Sequence, residues 1–311
     1  MPLQINRSLL TFKQESAYGV APTGSYTPVR VRRNPELAPM VADRLAREEV
    51  KPWFGGDFEA LINKRQTISF SVYDGGSGVA GTAPAYGGLY LPCGMNESIV
   101  SSTSVTYAPI SAGIPSVTIR WYTDGVLHQL SGAYGTCTWM RNSGEFPQVD
   151  FEFTGLYTDP IDSALLSPVT WENQADSLAV NSSHTPLTTL NSVQRCMSTY
   201  QVSLGNNIVY KDEAGCTERI RITQRTPEGE VQYEDALIAT QNVYTLAKGT
   251  TLVPVVVGHT GGPAGSRSTI TVPNANILEP SLPDRDDERY ITVPFAPLSP
   301  SGSSELSVVY T

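Results

Sequence analysis

Hydrophobic and polar residues alternate along much of the chain, most regularly in residues 116–157. Val117, Ile119 and Trp121 occupy every second position, with Thr and Arg side chains between them. A period of two places successive side chains on opposite faces of a strand. The pattern therefore predicts a β-strand with one apolar face, and the whole stretch predicts the core sheet of a structural protein.

A two-residue turn is predicted directly after this strand. Asp124-Gly125 fits a type I′ turn, because both central residues of that turn need positive φ and Asp and Gly tolerate it. A turn of this length places Trp121 opposite His128 and Ile119 opposite Leu130.

Two further strands, residues 135–141 and 148–154, are predicted to complete an antiparallel meander. The last strand carries apolar residues on one face and acids on the other: Val149, Phe151 and Phe153 against Asp150 and Glu152. One apolar face and one wet face are typical of an antiparallel sheet with one side packed on a core.

The same alternation predicts a mainly β protein. Further strands are expected at residues 66–73, 105–109, 199–210, 218–225, 230–237, 252–257, 268–272, 290–295 and 305–310. Two short helices are expected at residues 85–91, where Pro84 can open the helix, and at 243–247. Residues 35–50 are compatible with a helical turn or an extended arm.

A second hairpin is predicted around the turn Thr226-Pro227-Glu228-Gly229. A four-residue loop would place Arg225 opposite Glu230 and Arg221 opposite Glu234. Opposite charges facing each other across a hairpin support its register.

The length and the order of elements predict two domains. We expect a first antiparallel β-sandwich or open barrel at residues 1–160, a connecting arm at 161–195 that is rich in Ser, Thr, Asn and Pro, and a second such domain at 196–311. Each half has strands, a short flanking helix and more strands in the same order, which favours a tandem duplication. Residue identity between the halves is low, so two unrelated antiparallel domains remain the alternative.

The net charge of −9 argues against a general nucleic-acid binder, which needs a basic surface to displace counterions. The same charge suits a partner that must repel DNA. No apolar run approaches the 18 or so residues of a membrane span, and the first residues lack the apolar core of a secretory signal. Cys93, Cys137, Cys196 and Cys216 form no CxxC pair, and reduced thiols are expected.

No catalytic, cofactor or metal site is predicted. The glycine-rich stretch 258–265 lacks the Lys-Ser/Thr of a phosphate-binding loop, and the three histidines lack metal-ligand spacing. The acidic run 284–288 lacks EF-hand spacing. Asp150 and Glu152 could act as paired carboxylates, but two acids on the wet face of one strand are more often simply solvated.

Five ordered segments together resemble the major tail tube protein of long, non-contractile (siphovirus-like) phage tails. They cover about half of the chain: TFKQESAYGVAP (11–22), RRNPEL (32–37), GTAPAYGGLYLPCG (81–94), VTIRWYTDGVLH (117–128) and FPQVDFEFTGLY (146–157). The resemblance implies a β-sandwich with a flanking helix that packs side by side with copies of itself. Its inner strands then close into a barrel around a channel, and the rings stack into a hollow tube.

The resemblance also implies roles for individual residues. Acids facing the channel would repel phosphate and let DNA slide; the candidates are Asp150, Glu152, Glu230 and Glu234. Arg221 and Arg225 would weaken that charge if they shared the face. Residues 35–58, 74–82 and 159–195 are candidates for contacts between rings.

The partners implied are other copies of the chain, the tape measure protein inside the tube, and the terminator and distal tail proteins at its ends. DNA would pass without specific binding, no membrane insertion is expected, and the protein would reside in the virion tail after assembly in the bacterial host cytoplasm. If the duplication is real, three chains would form a pseudo-sixfold ring, which we favour over six chains with the second half outside.

Two rival functions remain at this point. A tail-surface or baseplate β-domain that binds a receptor or glycan would need an exposed aromatic platform. A glycoside hydrolase would need two acids converging in a cleft.

Overall fold

The computed structural model describes residues 7–33, 35–285, 287–300 and 302–311. The first half forms ten strands and two 3₁₀ helices: β1 (Ser8–Gln14), β2 (Thr27–Val29), β3 (Glu36–Ala46), β4 (Glu59–Tyr73), 3₁₀ helices Ala85–Leu89 and Leu91–Cys93, β5 (Met95–Val100), β6 (Ser104–Pro109), β7 (Val117–Thr123), β8 (Val126–Asn142), β9 (Gln148–Leu156) and β10 (Ile161–Asp162).

The second half forms eleven strands and one α-helix: β11 (Leu187–Leu190), β12 (Val193–Gln194), β13 (Met197–Ser203), β14 (Asn206–Lys211), β15 (Arg219–Arg225), β16 (Glu228–Glu234), α1 (Val243–Lys248), β17 (Val253–His259), β18 (Ser268–Ile277), β19 (Asp284–Arg285), β20 (Glu288–Pro297) and β21 (Ser307–Tyr310). The α-helix is capped by Asn242, whose side-chain oxygen accepts a hydrogen bond from the Thr245 N–H at 3.0 Å. The prediction of a mainly β fold with antiparallel sheets and few helices is confirmed.

The two halves contribute to one antiparallel sheet, and we call its six strands from β4 to β20 the central sheet. Its order is β4–β9–β8–β13–β16–β20, and the pairing of β8 with β13 joins the first half to the second. A second layer consists of β2–β1–β7 and of β12–β11–β17–β18–β21–β6–β5, the latter again drawing strands from both halves.

A single large hydrophobic cluster lies between these layers. It includes Phe151 and Trp139 from the first half and Val231, Phe295 and Ile270 from the second. The predicted division at residues 160 and 196 and the tandem duplication both stay predictions.

A buried polar network crosses this core between the halves. Asp74 accepts hydrogen bonds from Tyr310 Oη at 2.8 Å, Ser268 Oγ at 2.9 Å and Tyr86 Oη at 3.0 Å. Its Oδ2 also lies 3.4 Å from Nη2 of Arg141, and the two charged side chains are 2% and 1% exposed. Buried charges of this kind are tolerated only when paired and hydrogen-bonded.

The predicted register of the first hairpin is confirmed. Trp121 lies opposite His128 and Ile119 opposite Leu130, and the turn residues Asp124 and Gly125 both have positive φ. The strands predicted on either side of residues 131–134 are one strand, β8. It passes through a bulge between Ser131 and Tyr134, where its neighbours change from β10 to β9 on one edge and from β7 to β13 on the other.

The predicted second hairpin is wrong. β15 pairs with β14, so that Arg225 lies opposite Asn206 and Arg221 opposite Val209. β16 instead pairs with β13 and β20, and Glu230 lies opposite Gln201 and Pro294. The physical reason is burial: Val231 and Tyr233 of β16 are fully buried in the core, which requires this strand to lie in the central sheet.

The segment at residues 35–50 adopts the extended alternative, as the strand β3. It pairs with β4 and forms a long hairpin whose loop spans residues 47–58. The helix predicted at residues 85–91 is two short 3₁₀ helices.

Candidate functional site

The outward side of the central sheet is polar, because alternation in each of its strands turns the apolar side chains toward the core. In β9, Val149, Phe151 and Phe153 are buried, whereas Asp150 is half-buried and Glu152 is exposed. Residues directly opposite each other on antiparallel strands share a face. Asp150 therefore lies on the same face as its two neighbours Ser71 and Thr138.

A row of cross-strand neighbours continues this face from the first half into the second. From Thr138 of β8 the row passes to Ser203 of β13 and then to Glu228 of β16. The Thr138 hydroxyl donates a hydrogen bond to Ser203 Oγ at 3.0 Å across the junction. Asp150 and Glu228 are therefore at the two ends of one row on a continuous surface.

The next row places the second pair of predicted acids on the same surface. Gln148 lies opposite Met140, Met140 opposite Gln201 and Gln201 opposite Glu230. Glu234 follows four positions after Glu230 in the same strand and is exposed. The four predicted acids thus share one side of one sheet.

We call this surface the acidic face. It is formed by Thr67, Ser69, Ser71 and Tyr73 of β4, Gln148, Asp150, Glu152 and Thr154 of β9, Thr136, Thr138 and Met140 of β8, Thr199, Gln201 and Ser203 of β13, Glu228, Glu230, Gln232 and Glu234 of β16, and Tyr290, Thr292 and Pro294 of β20. These positions carry five acids and no Lys or Arg. Anions near this surface are therefore repelled, over about 8 Å at physiological salt.

Sequence analysis missed Glu228 as a member of the face. It was assigned to a turn, but β16 begins at this residue, which lies two positions before Glu230 on the same side of the strand. The period of two includes Glu228 when the predicted strand begins at that residue instead of at Glu230.

Arg221 and Arg225 do not lie on the acidic face. They belong to β15, which pairs only with β14 among the strands that the structure describes. Arg225 forms an ion pair with Glu305 at 2.8 Å, and its guanidinium also donates to the carbonyl oxygen of Ile110. Two arginines lie at the margin of the face. The Arg32 guanidinium donates a hydrogen bond to Gln148 Oε1 and lies 5.4 Å from the centre of the Tyr73 ring, so it contacts two residues of the face. Arg65 lies beyond Thr67 and pairs with Asp43 at 3.6 Å.

The three segments predicted to contact other rings differ in accessibility. Residues 74–77 are buried against the second half, so only residues 78–82 of that loop can reach another subunit. The hairpin of β3 and β4 carries exposed Trp53, Phe54 and Phe58 around its loop. Most of residues 159–173 are also exposed.

The histidines and acids do not assemble into a reactive site in the described part of the chain. No group of three or more His, Cys, Asp or Glu side chains that could hold a metal ion occurs among those residues. His259 is buried and hydrogen-bonded through Nδ1 to Thr185 Oγ1 at 2.8 Å, and burial lowers its pKa to about 4. Within the described residues, no helix has the length and hydropathy to cross a membrane.

An extended antiparallel sheet with one acidic face is typical of a structural β-protein. Comparison with known families gives the class directly: the family model of phage tail tube proteins matches residues 5–297. This match covers most of the chain, and the chain therefore belongs to the phage tail tube protein family. A comparison with curated proteins finds no match. Family membership makes this a structural component of the virion tail and implies a role other than catalysis.

Proposed function

We propose that the chain polymerises as stacked rings into the hollow tail tube, with the acidic face lining the channel through which DNA passes. The observation that carries this proposal is that five acids, from both halves of the chain, share one sheet face, whereas Arg32 and Arg65 lie only at its margin. DNA carries one negative charge per about 1.7 Å of duplex, so a basic lining would retain it by counterion release. An acidic lining lets the duplex slide.

The ring is proposed to contain three chains. Each chain supplies strands from two units to one central sheet, and three such sheets joined edge to edge make a closed barrel with pseudo-sixfold symmetry. The exposed loop of residues 47–58 and the arm at 159–195 are proposed to contact the neighbouring rings. Assembly in the host cytoplasm around the tape measure protein, and capping by terminator and distal tail proteins, belong to the same proposal.

Electron microscopy of the purified protein in negative stain tests the assembly. We expect hollow, striated tubes with threefold symmetry in each ring. Persistent monomers, even with a tail-assembly partner added, would reject the tube and favour the surface-binding alternative.

Charge reversal tests the channel. The variants Glu152→Lys and Glu230→Lys each add a cation to the acidic face, whereas the control Glu172→Lys makes the same change at an exposed residue outside it. Tubes are mixed with a labelled DNA duplex of about 20 base pairs at 50 to 200 mM salt and sedimented.

We expect wild-type and Glu172→Lys tubes to leave the duplex in solution. Tubes of either face variant should retain it at low salt and release it at high salt. Equal retention by all three variants would mean that the acidic face does not line the channel.

A further inference from the structure

The two halves pair their strands with the same local register. In each half, a pair of strands carries one bulge in which two residues of the first strand oppose three of the second. The corresponding pairs are Val117 with Ala133 and Ile119 with Leu130 in the first half, and Val253 with Ala275 and Val255 with Val272 in the second. Because of this shared bulge, each residue of β7 has a counterpart in β17, and each residue of β18 has a counterpart in β8.

The neighbours of β8 and β18 also correspond, with one exception. One edge of β8 pairs with β10 and then β9, and the same edge of β18 pairs with β21 and then β20. The other edge of β8 pairs with β7 and then with β13. The other edge of β18 pairs with β17, and no described strand of the chain takes the place of β13.

The register identifies the residues at this open edge. Phe153 lies opposite Gly135 in the first half, and Phe295 lies opposite Ile277 in the second. Asp150 precedes Phe153 by three residues, as Thr292 precedes Phe295. Thr138 lies opposite Asp150 and Ser281 opposite Thr292, so Ser281 takes the place of Thr138, and residues 281–284 correspond to the β13-binding residues 138–141 of β8. Residues 281–284 run along β20, where Ser281 and Thr292 exchange both backbone hydrogen bonds at 3.0 and 2.9 Å. Leu282 therefore directs its backbone N–H and C=O to the open edge.

The counterpart of β13 lies at the opposite end of the central sheet. Gln201 of β13 pairs with Glu230 of β16, and Glu36 of β3 pairs with Ser69 at the corresponding position of β4. The Arg32 N–H donates to the Ser71 carbonyl oxygen at 2.8 Å, so the chain already lies along β4 before β3 begins. Residues 32–38 therefore occupy the position beside β4 that β13 occupies beside β16, apart from Asn34, which lies outside the described residues.

We infer that residues 281–284 of one copy pair with residues 35–38 of the next copy, head to tail, as β8 pairs with β13 within the chain. The inference rests on the proposed ring and specifies its interface. In this register Ala38 lies opposite Ser281, because their counterparts Ser203 and Thr138 are opposite each other.

An apolar groove beside this edge supports binding of the same segment of the next copy. The groove has a volume of about 730 Å³ and is lined by Ile277, Leu278 and Pro294 together with Tyr244 and Ala247. An exposed apolar surface of this kind indicates an interaction site.

The corresponding place in the first half is filled by β14. Asn206 at the start of β14 donates its side-chain amide to the carbonyl oxygens of Cys93 at 2.6 Å and Gly135 at 2.9 Å. Gly135 corresponds to Ile277, and β3 corresponds to β13 and β14. The β3–β4 hairpin of the next copy therefore enters the groove with its exposed apolar residues Met40 and Leu45.

Charge and backbone chemistry fit this junction. The register places Asp284 of one copy opposite Pro35 of the next, close to the basic residues Arg32 and Arg33, and opposite charges across a strand pair are stabilising. Pro280 and Pro283 remove two N–H donors from the open strand. Proline at an edge strand limits indiscriminate pairing, so the free chain is protected from unregulated aggregation.

Disulfide crosslinking tests the register. The double variant Ala38→Cys with Ser281→Cys is made in a background of Cys196→Ser and Cys216→Ser, which removes the two exposed native thiols. Opposed strand residues have Cα atoms within the range of a disulfide. After assembly and oxidation, we expect covalent trimers on a denaturing gel, because three copies close the ring.

Two controls define the result. Thr138→Cys with Ser203→Cys should form the corresponding bond within one chain and remain monomeric on the gel. Ala38→Cys with Leu282→Cys places the second thiol on the other face of the strand and should crosslink poorly.

Mixing single variants keeps the test decisive if the double variant does not assemble. Copies with Ala38→Cys mixed with copies carrying Ser281→Cys should give covalent dimers only. Tubes that form without these crosslinks, or that crosslink equally well through Leu282→Cys, would overturn the inferred junction and leave the tube function intact. Failure of the wild-type protein to form tubes would count against the proposed function itself.

Discussion

Replacing Asp74 with asparagine tests how the two halves of the chain are held together. The side chain volume is kept, so the change removes a charge without leaving a cavity. Oδ1 of Asp74 accepts from Tyr86 and Tyr310, and Oδ2 accepts from Ser268 and lies beside Arg141. In the variant one amide oxygen can still accept from the two tyrosines. The amide N–H₂ then faces Ser268 and the Arg141 guanidinium, which is itself a donor.

The size of the effect follows from the burial of Arg141. Its guanidinium donates to the Val257 carbonyl oxygen at 2.7 Å and to Ser268 Oγ at 2.8 Å, but Asp74 is the negative charge beside it. Removing one member of a buried ion pair costs about 3–5 kcal/mol, since the other charge is left uncompensated in the core. Domains are typically stable by only about 5–15 kcal/mol, so a large part of the stability is lost.

The assay is guanidinium unfolding of the unassembled protein at low concentration, followed by tryptophan fluorescence. Trp139 reports directly on this region because its indole N–H donates to Tyr90 Oη at 3.1 Å, and Tyr90 Oη lies 3.0 Å from Tyr310 Oη. The control is a double-mutant cycle with Arg141→Met. The double variant should lose less stability than the two single variants together, because it no longer buries a lone charge. A loss below about 1 kcal/mol for Asp74→Asn, or simple additivity in the cycle, would refute the reasoning.

Two further predictions concern pH and packing. Burial lowers the pKa of His259 to about 4, against about 6.5 in an unfolded chain, so the unfolded state binds the proton first as pH falls. The contribution of His259 to stability is therefore complete above about pH 6.5 and falls by up to about 3 kcal/mol toward pH 4. His259→Gln should flatten this dependence in denaturant midpoints measured across that range, and retention of most of it would contradict the assignment. His128→Gln should flatten it less, because burial lowers the pKa of His128 at a position that is only half-buried. A Cβ on Gly229 would lie 2.3 Å from the Phe295 ring, so Gly229→Ala should lower the free energy of unfolding by about 1–3 kcal/mol, with partial rescue by Phe295→Leu. Gly56→Ala, where no atom lies within 4 Å, should be neutral, and an equal loss at both glycines would show that crowding is not the cause.

The local structure and the buried side of each strand follow from the amino-acid sequence alone. The alternation around Phe151 places Asp150 and Glu152 opposite the core, and Asp124-Gly125 requires a tight turn with positive φ. Both features depend on residues within a few positions of one another. Strand geometry and turn sterics fix such features without knowledge of the rest of the fold.

Which strands are neighbours depends on tertiary packing. Charges at Arg221 and Glu234 favoured a local hairpin, yet burial of Val231 and Tyr233 places β16 between β13 and β20 instead. Exposed ion pairs contribute at most about 1 kcal/mol, whereas burying each large apolar side chain contributes about 1.5–3 kcal/mol. A period of two shows which face is apolar but carries no information about the partner strand. The continuous acidic face across the β8–β13 junction therefore emerges only when the two halves share one core.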